Sequence, residues 1–144
     1  MKVFPILLLV FLSIGVHSAS WADSSKSSRS GRAGYVQKDP ILRDRCDIYD
    51  RSGRIRGYTE RDPLFRDRVD IYDRRGRQEG YVERDPLLQD RWNLHDRDGH
   101  KTGYIQQDPI LKDRENIYDR TGRRKGHLED DPLFKDRTNI YKDK

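Results

Sequence analysis

The chain has little cysteine and only one long apolar run, and each shortage limits the class of protein to which the chain can belong. Cys46 is the single cysteine among 144 residues, so no intrachain disulfide can form. The simplest interpretation of Cys46 is a small side chain at a tolerant position, and the alternative is a covalent dimer through its thiol. Residues 3–16 form the apolar run, and no later segment offers a membrane span in the mature chain.

The N-terminal segment has the three-part layout of a secretory signal. Lys2 precedes the apolar run, and small residues around Ser20-Trp21-Ala22 follow it, so we predict a signal peptide over 1–22. An uncleaved anchor is the alternative, although the run is shorter than the ~20 residues that cross a bilayer. The sequence thus predicts a secreted or periplasmic protein, whose serine-rich segment 23–33 is a flexible leader.

The chain also lacks a region in which charge of one sign dominates. Basic and acidic residues number 30 and 25, and they interleave, as in Arg43-Asp44-Arg45. A protein that binds a polyanion needs basic residues segregated from acidic ones. The sequence therefore predicts no nucleic-acid partner.

Catalytic and metal-binding patterns are missing as well. No serine or cysteine has a plausible histidine and acid in a recognisable arrangement, and no histidine belongs to a metal-ligand spacing. The segment Asp96-Arg97-Asp98-Gly99 lacks the remaining ligands of a calcium loop, so calcium is only an alternative. We predict a non-catalytic protein with no cofactor and no metal site.

What the sequence does contain is a repeat with a strict period of 23 residues. Copies begin at Gly34, Gly57, Gly80, Gly103 and Gly126, without insertions, so residues 34–144 form five units. A unit of this size cannot bury its own apolar side, and neighbouring units must supply the burial. Each of the first four units contains an Asp-x-x-Gly corner, such as 50–53, that is typical of a β-hairpin turn.

The hairpin interpretation predicts which residues lie opposite each other on the two strands and how the connector between hairpins folds. With Asp50 opposite Arg54, Ile48 lies opposite Arg56 and position 46 opposite Tyr58, so that Tyr58 shares the apolar side and Tyr49 points away. The connector 39–44 begins with Asp-Pro, which predicts one helical or 3₁₀ turn. Its aliphatic pair, Ile41-Leu42 in the first unit, is expected to pack under the sheet.

The ends of the array are complementary halves of a hairpin. Residues 34–37 resemble a second strand without a first, and residues 138–141 a first strand without a second. They can pair with each other and close a ring, pair between molecules as a homo-oligomer, or simply fray. The predicted fold is therefore all-β: five tandem hairpins in an open solenoid or meander, or in a closed ring or barrel.

The corner segments carry a family resemblance. Tyr49-Asp50-x-x-Gly53-Arg54 and its equivalents from Tyr72 and Tyr118 resemble the YD repeats of RHS-type bacterial surface and toxin-shell proteins. This resemblance implies a secreted or surface β-sheet protein that binds partners. The connector and the period of 23 depart from the YD pattern, so shell formation is not carried over.

Two functions follow from the repeated tyrosine, arginine and aspartate residues. The first is a structural or interaction scaffold of the cell envelope or extracellular space, whose weak sites add up by avidity. The second is a module that binds surface glycan, with tyrosines as stacking platforms. The candidate binding residues are Tyr49, Tyr72, Tyr118 and Tyr141. The expected partner is a protein or an envelope polysaccharide.

Overall fold

The computed structural model describes residues 31–143. The predicted signal peptide 1–22 and residues 23–30 of the predicted leader lie outside the described residues. The first strand already begins at Gly31, so residues 31–33, which we assigned to the leader, belong to the sheet. Within the described range, no helix is long and apolar enough to cross a membrane.

The described chain consists of ten antiparallel strands, two from each repeat. The odd-numbered strands are β1 (Gly31–Lys38), β3 (Ile55–Arg61), β5 (Gln78–Arg84), β7 (Lys101–Gln107) and β9 (Arg124–Asp130). The even-numbered strands are β2 (Arg45–Asp50), β4 (Arg68–Asp73), β6 (Arg91–Asp96), β8 (Arg114–Asp119) and β10 (Arg137–Lys142). Each strand pairs with the strands before and after it in the sequence. The predicted all-β architecture of tandem hairpins is thus confirmed.

Pairing of the first and last strands closes the sheet into a barrel. Strand β1 pairs with β10 from Gly34 opposite Ile140 to Gln37 opposite Arg137. The two half-hairpins at the ends of the array therefore complete each other within one chain. Closure removes the exposed edges that an open sheet would present. Among the alternatives, the structure is the closed barrel and not the open solenoid.

The barrel interior is filled by aliphatic side chains from every strand except β3. The core cluster is Val36, Ile48, Ile71, Val82, Leu94, Ile105, Ile117, Leu128 and Ile140. On β3, Thr59 takes the corresponding position and is 2% exposed. Because side chains alternate between the two sides of a strand, the residues next to these core positions point outwards. The outer surface of the barrel therefore holds the polar and aromatic side chains of the repeat.

The Asp-x-x-Gly corners form as predicted. In the first corner, Gly53 has φ of 76° and its amide donates to the Asp50 carbonyl at 3.0 Å. The Asp50 carboxylate Oδ1 accepts the amides of Ser52 and Arg54 at 2.8 and 3.0 Å. Aspartate thus closes the turn, and glycine supplies the left-handed residue that completes it.

The predicted hairpin register is wrong by one residue. Ile48 lies opposite Gly57 and Cys46 opposite Thr59, and the register shifts between Ile48 and Tyr49. The bulge moves Tyr58 to the outer surface, away from the apolar side that we predicted for it. The extra residue is Arg56, between Ile55 and Gly57 on β3, so the shift is a β-bulge within the strand pair that lies beyond the corner itself.

The predictions for the connectors are also wrong. No helical turn forms at 39–44; instead, Arg45 donates its amide to the Leu42 carbonyl at 3.1 Å in a tight turn. Asp39 Oδ1 accepts the amides of Ile41 and Leu42 at 2.7 and 2.8 Å. The aliphatic pair does not pack under the sheet, since the strands already fill the interior and Ile41 is 83% exposed.

Candidate functional site

The outer surface of the barrel carries five pairs of stacked rings, which we call the aromatic belt. Each pair joins two residues that lie directly opposite each other on neighbouring strands, as Tyr58 on β3 and Tyr72 on β4 do. The pairs and their centroid separations are Tyr35–Tyr49 at 4.7 Å, Tyr58–Tyr72 at 5.0 Å, Tyr81–His95 at 4.6 Å, Tyr104–Tyr118 at 4.9 Å and His127–Tyr141 at 4.8 Å. The rings of every pair are nearly parallel, within 17°.

An arginine from the preceding strand covers the first ring of most pairs. The guanidinium of Arg45 lies 3.9 Å from the centroid of Tyr58, whose other neighbour is Tyr72. The equivalent distances are 3.7 Å for Arg68 and Tyr81, 4.2 Å for Arg91 and Tyr104, and 4.4 Å for Arg137 and Tyr35. Each such layer combines a cation–π contact with aromatic stacking. The result is one motif repeated around the barrel.

Hydrogen bonds hold the arginines of the belt in place. In the first two repeats the partner is an aspartate two residues on, as Arg45 Nε donates to Asp47 Oδ1 at 3.0 Å. In the later repeats the partner lies on an adjacent strand, as Arg91 Nη2 donates to Gln106 Oε1 at 3.2 Å. Such fixed contacts orient the guanidinium before any partner binds.

Asparagines replace the aspartates in the last three repeats and bind the connectors instead. Asn93, Asn116 and Asn139 are each less than 9% exposed. Their Nδ2 atoms donate at 2.9 Å to Asp85, Asp108 and Asp131, the first residues of the connectors. For Asp108, these hydrogen bonds hold the pKa of the carboxyl at about 2, with the Leu111 amide as the largest cause. The connector is thereby fastened to the outer surface of the barrel.

The four predicted tyrosines all belong to the belt. Tyr49, Tyr72, Tyr118 and Tyr141 lie on β2, β4, β8 and β10, are half-buried, and each stacks on the first ring of its pair. Burial, together with the nearby Asp47 carboxylate, raises the pKa of the Tyr49 hydroxyl. Burial also raises the pKa of the Tyr72 hydroxyl, with the Asp70 carboxylate as the largest charged cause.

Sequence reasoning missed the first ring of each pair. These rings directly follow the repeat glycine, and the one-residue error in register placed them inside; they are Tyr35, Tyr58, Tyr81, Tyr104 and His127. The repeat glycine was the sequence feature that could have indicated the outward position of these rings. A Cβ atom on Gly57 would lie 2.2 Å from the Tyr72 carbonyl oxygen, so this glycine packs against backbone and the following residue must turn outwards.

The two histidines of the belt replace tyrosine without breaking the stack. His95 stacks on Tyr81, and its Nδ1 lies 3.1 Å from the Gly99 carbonyl in the adjacent corner. His127 stacks on Tyr141. Burial lowers the pKa of His127, and the positive charges of Arg114 and Arg124 lower it further. The belt thus accepts an imidazole in place of a phenol ring at both positions.

One end of the barrel carries a ring of exposed apolar side chains, which we call the crown. All five connectors from an odd to the following even strand lie at this end, because the strands run alternately up and down. The crown consists of Ile41, Leu42, Leu64, Phe65, Leu87, Leu88, Ile110, Leu111, Leu133 and Phe134. The first member of each pair is 82 to 87% exposed and the second 41 to 59%.

A corner brings together three groups of the kind that ligate metals. Oxygen or nitrogen atoms of Asp96, Asp98 and His100 lie within 4.8 Å of one another. However, Asp96 Oδ1 already accepts the amides of Asp98 and His100 at 3.0 and 2.8 Å, which closes the turn. The equivalent Asp50 does the same in a corner without a second acid. Turn closure accounts for this geometry.

Two titratable groups lie inside the barrel near the crown. Burial raises the pKa of the Cys46 thiol to about 11, which leaves it protonated and poorly nucleophilic at neutral pH. Glu115 lies at the equivalent position of the fourth repeat. Burial, and then the negative charge of Asp130, raises the pKa of the Glu115 carboxyl to about 7. The repeat position that Cys46 occupies thus accepts very different side chains inside the barrel.

Comparison with known proteins gives little information about identity. No protein family model matches the chain, and no curated protein matches it. Among solved structures, the barrel is similar to an X-ray structure of a protein from Arabidopsis thaliana, with 11% sequence identity and a TM-score of 0.45. That similarity covers 76% of this chain and 80% of the plant protein.

Proposed function

We propose that the protein is a non-catalytic interaction scaffold that binds a partner through the aromatic belt. The observation that supports this proposal is the fivefold repetition of one outward-facing ring pair around a closed barrel. Four of the five pairs have an arginine over the first ring. Tyrosine and arginine are the residues that most often dominate binding energy at interfaces. Five weak copies on one rigid body bind by avidity.

The scaffold fits an extracellular or periplasmic setting, as the N-terminal sequence predicts. A partner there is a protein or an envelope polysaccharide that itself repeats, because only a repeating surface engages several belt sites at once. The rings and guanidinium groups are already oriented, so little conformational entropy is lost on binding. The resemblance to YD-repeat proteins is consistent with this role.

Avidity gives the proposal a direct test. Purified protein is mixed with insoluble envelope material from the producing cells, and the bound fraction is measured by co-sedimentation. One Tyr72→Leu substitution should weaken binding only a few-fold, whereas substitution of all four candidate tyrosines by leucine should weaken it by about 100-fold or more. An Arg51→Ser variant, changed at an exposed position of a corner turn outside the belt, is the control. Equal binding by the fourfold variant would contradict the proposal.

A glycan-binding module is the second candidate function. The parallel ring pairs favour it, because a flat aromatic surface packs against the apolar side of a sugar ring. Tyr49, Tyr72, Tyr118 and Tyr141 are the platforms in this case. Binding should then resist salt, survive protease treatment of the envelope material, and occur with purified polysaccharide. A protein partner predicts loss of binding after the same protease treatment.

A further inference from the structure

We infer that the crown is a self-association surface, on which two copies of the protein meet end to end. The proposal goes beyond the belt and uses residues that the belt does not. Its geometric basis is the placement of five apolar pairs at one end of the barrel. A surface that repeats around the barrel axis is complementary to a second copy of itself, because rotation brings each pair between two pairs of the partner.

The exposed area of the crown is large enough for a stable dimer. Its ten side chains are on average about two-thirds exposed, which gives on the order of 1,000 Å² of accessible surface, compared with ~800 Å² per partner in a typical interface. The largest apolar patch on a typical monomer is roughly 300–600 Å². The crown exceeds that range, and it is concentrated at one end.

The charges next to the apolar pairs favour a second copy over a lipid surface. Four exposed cations follow the pairs directly, namely Arg43, Arg66, Lys112 and Lys135. Five exposed aspartates come next, namely Asp44, Asp67, Asp90, Asp113 and Asp136. Binding to an anionic membrane draws on an excess of positive charge, which this rim does not have. An alternating rim can instead place each cation beside an aspartate of the partner.

The topology also places the start of β1 at the end of the barrel away from the crown. Strand β1 begins with Gly31 at the corner end and reaches the crown only at Lys38. At about 3.3 Å per residue, the eight residues of β1 place its start roughly 25 Å from the crown. Strand β1 therefore enters the barrel at the end opposite the crown.

Analytical ultracentrifugation of the full mature protein tests the inference. Over concentrations from about 1 µM to 1 mM, we expect a monomer–dimer equilibrium. A crown variant replaces the five most exposed side chains: Ile41→Ser, Leu64→Ser, Leu87→Ser, Ile110→Ser and Leu133→Ser. Because these side chains contribute little to the core, the variant should keep its melting midpoint while its dissociation constant rises by at least about 100-fold. Ile55→Ser, at the corner end, should change neither quantity.

A charge exchange tests the orientation of the two copies. An acidic crown carries Arg43→Glu, Arg66→Glu, Lys112→Glu and Lys135→Glu, and a basic crown carries Asp44→Lys, Asp67→Lys, Asp113→Lys and Asp136→Lys. Each variant alone should associate at least about tenfold more weakly at low salt, and an equimolar mixture should recover a heterodimer. Recovery in the mixture requires that the two crowns face each other.

Three results would overturn the inference. The first is a protein that stays monomeric throughout the concentration range. The second is a dimer that persists unchanged in the serine variant, which would locate the interface elsewhere. The third is a monomer that co-sediments with phosphatidylcholine or phosphatidylserine vesicles and loses that binding in the serine variant, which would assign the crown to a lipid surface. Co-sedimentation with envelope material reports on the belt separately.

Discussion

At the scale of single residues, one repeat position shows which side chains the barrel accepts and what their burial costs in free energy. Cys46, Val69, Trp92, Glu115 and Thr138 occupy the same place in successive repeats. Four of them are neutral, whereas Glu115 is a carboxyl group that burial holds at a pKa of about 7 instead of 4.5. Burial of a carboxylate is unfavourable, so the folded state favours the protonated acid.

The first prediction concerns the pH dependence that follows from Glu115. A carboxyl whose pKa is raised on folding stabilises the folded state below its unfolded pKa and loses that contribution as pH rises. Between about pH 4.5 and pH 7, the wild-type protein should lose about 3 kcal/mol of unfolding free energy through this group. Glu115→Gln should remove this loss. Urea unfolding at several pH values measures it, and parallel pH profiles for the two proteins would contradict the assignment.

The repeat glycines provide the second prediction. Gly57 has no space for a Cβ atom, which would lie 2.2 Å from the Tyr72 carbonyl oxygen, so Gly57→Ala should cost roughly 3 kcal/mol or more. Gly53 has open space but a φ of +76°, so Gly53→Ala should cost only about 1–2 kcal/mol. Chemical unfolding of both variants gives the comparison. The reverse order would mean that the close strand approach at Gly57 is absent.

At the scale of elements, the hairpin depends on a corner that the sequence predicts and on a bulge that the sequence does not predict. Asp50 and Gly53 were identifiable as a turn because few residues tolerate their roles. The bulge shifts the register by one residue, and hydrophobic alternation does not reveal such a shift when tyrosine fits either side. The exposure of the Ile41 side chain could not be predicted from the sequence either, because it depends on how fully the strands fill the barrel interior.

The third prediction concerns the ring pairs that join the two strands of one repeat. Tyr58 on strand β3 stacks on Tyr72 of β4 at 5.0 Å, and both residues belong to the second repeat. A double-mutant cycle with Tyr58→Leu and Tyr72→Leu should give a coupling energy of about 1 kcal/mol. Tyr58→Leu with Tyr118→Leu, which lie in different pairs, is the control and should be additive. Additivity for both combinations would mean that the stack does not stabilise the barrel.

At the scale of the whole molecule, closure explains why the described array begins and ends in mid-hairpin. The half-hairpin at 34–37 pairs with the half-hairpin at 138–141, so each described strand has two neighbours. The sequence showed that the two halves were complementary but not whether they meet within one chain. That choice depends on barrel geometry, which involves all ten strands together. Closure also sets the belt around the barrel and gathers the crown at one end.

The most direct test of this account is the pairing of β1 with β10 in solution. Isotope-edited NMR spectra of a mixture of labelled and unlabelled protein distinguish contacts within a chain from contacts between chains. We predict intrachain cross-strand contacts in the observed register, from Gly34 opposite Ile140 to Gln37 opposite Arg137, with slow amide exchange in both strands. Contacts found only between chains, or rapid exchange throughout residues 34–37 and 137–140, would contradict the closed barrel.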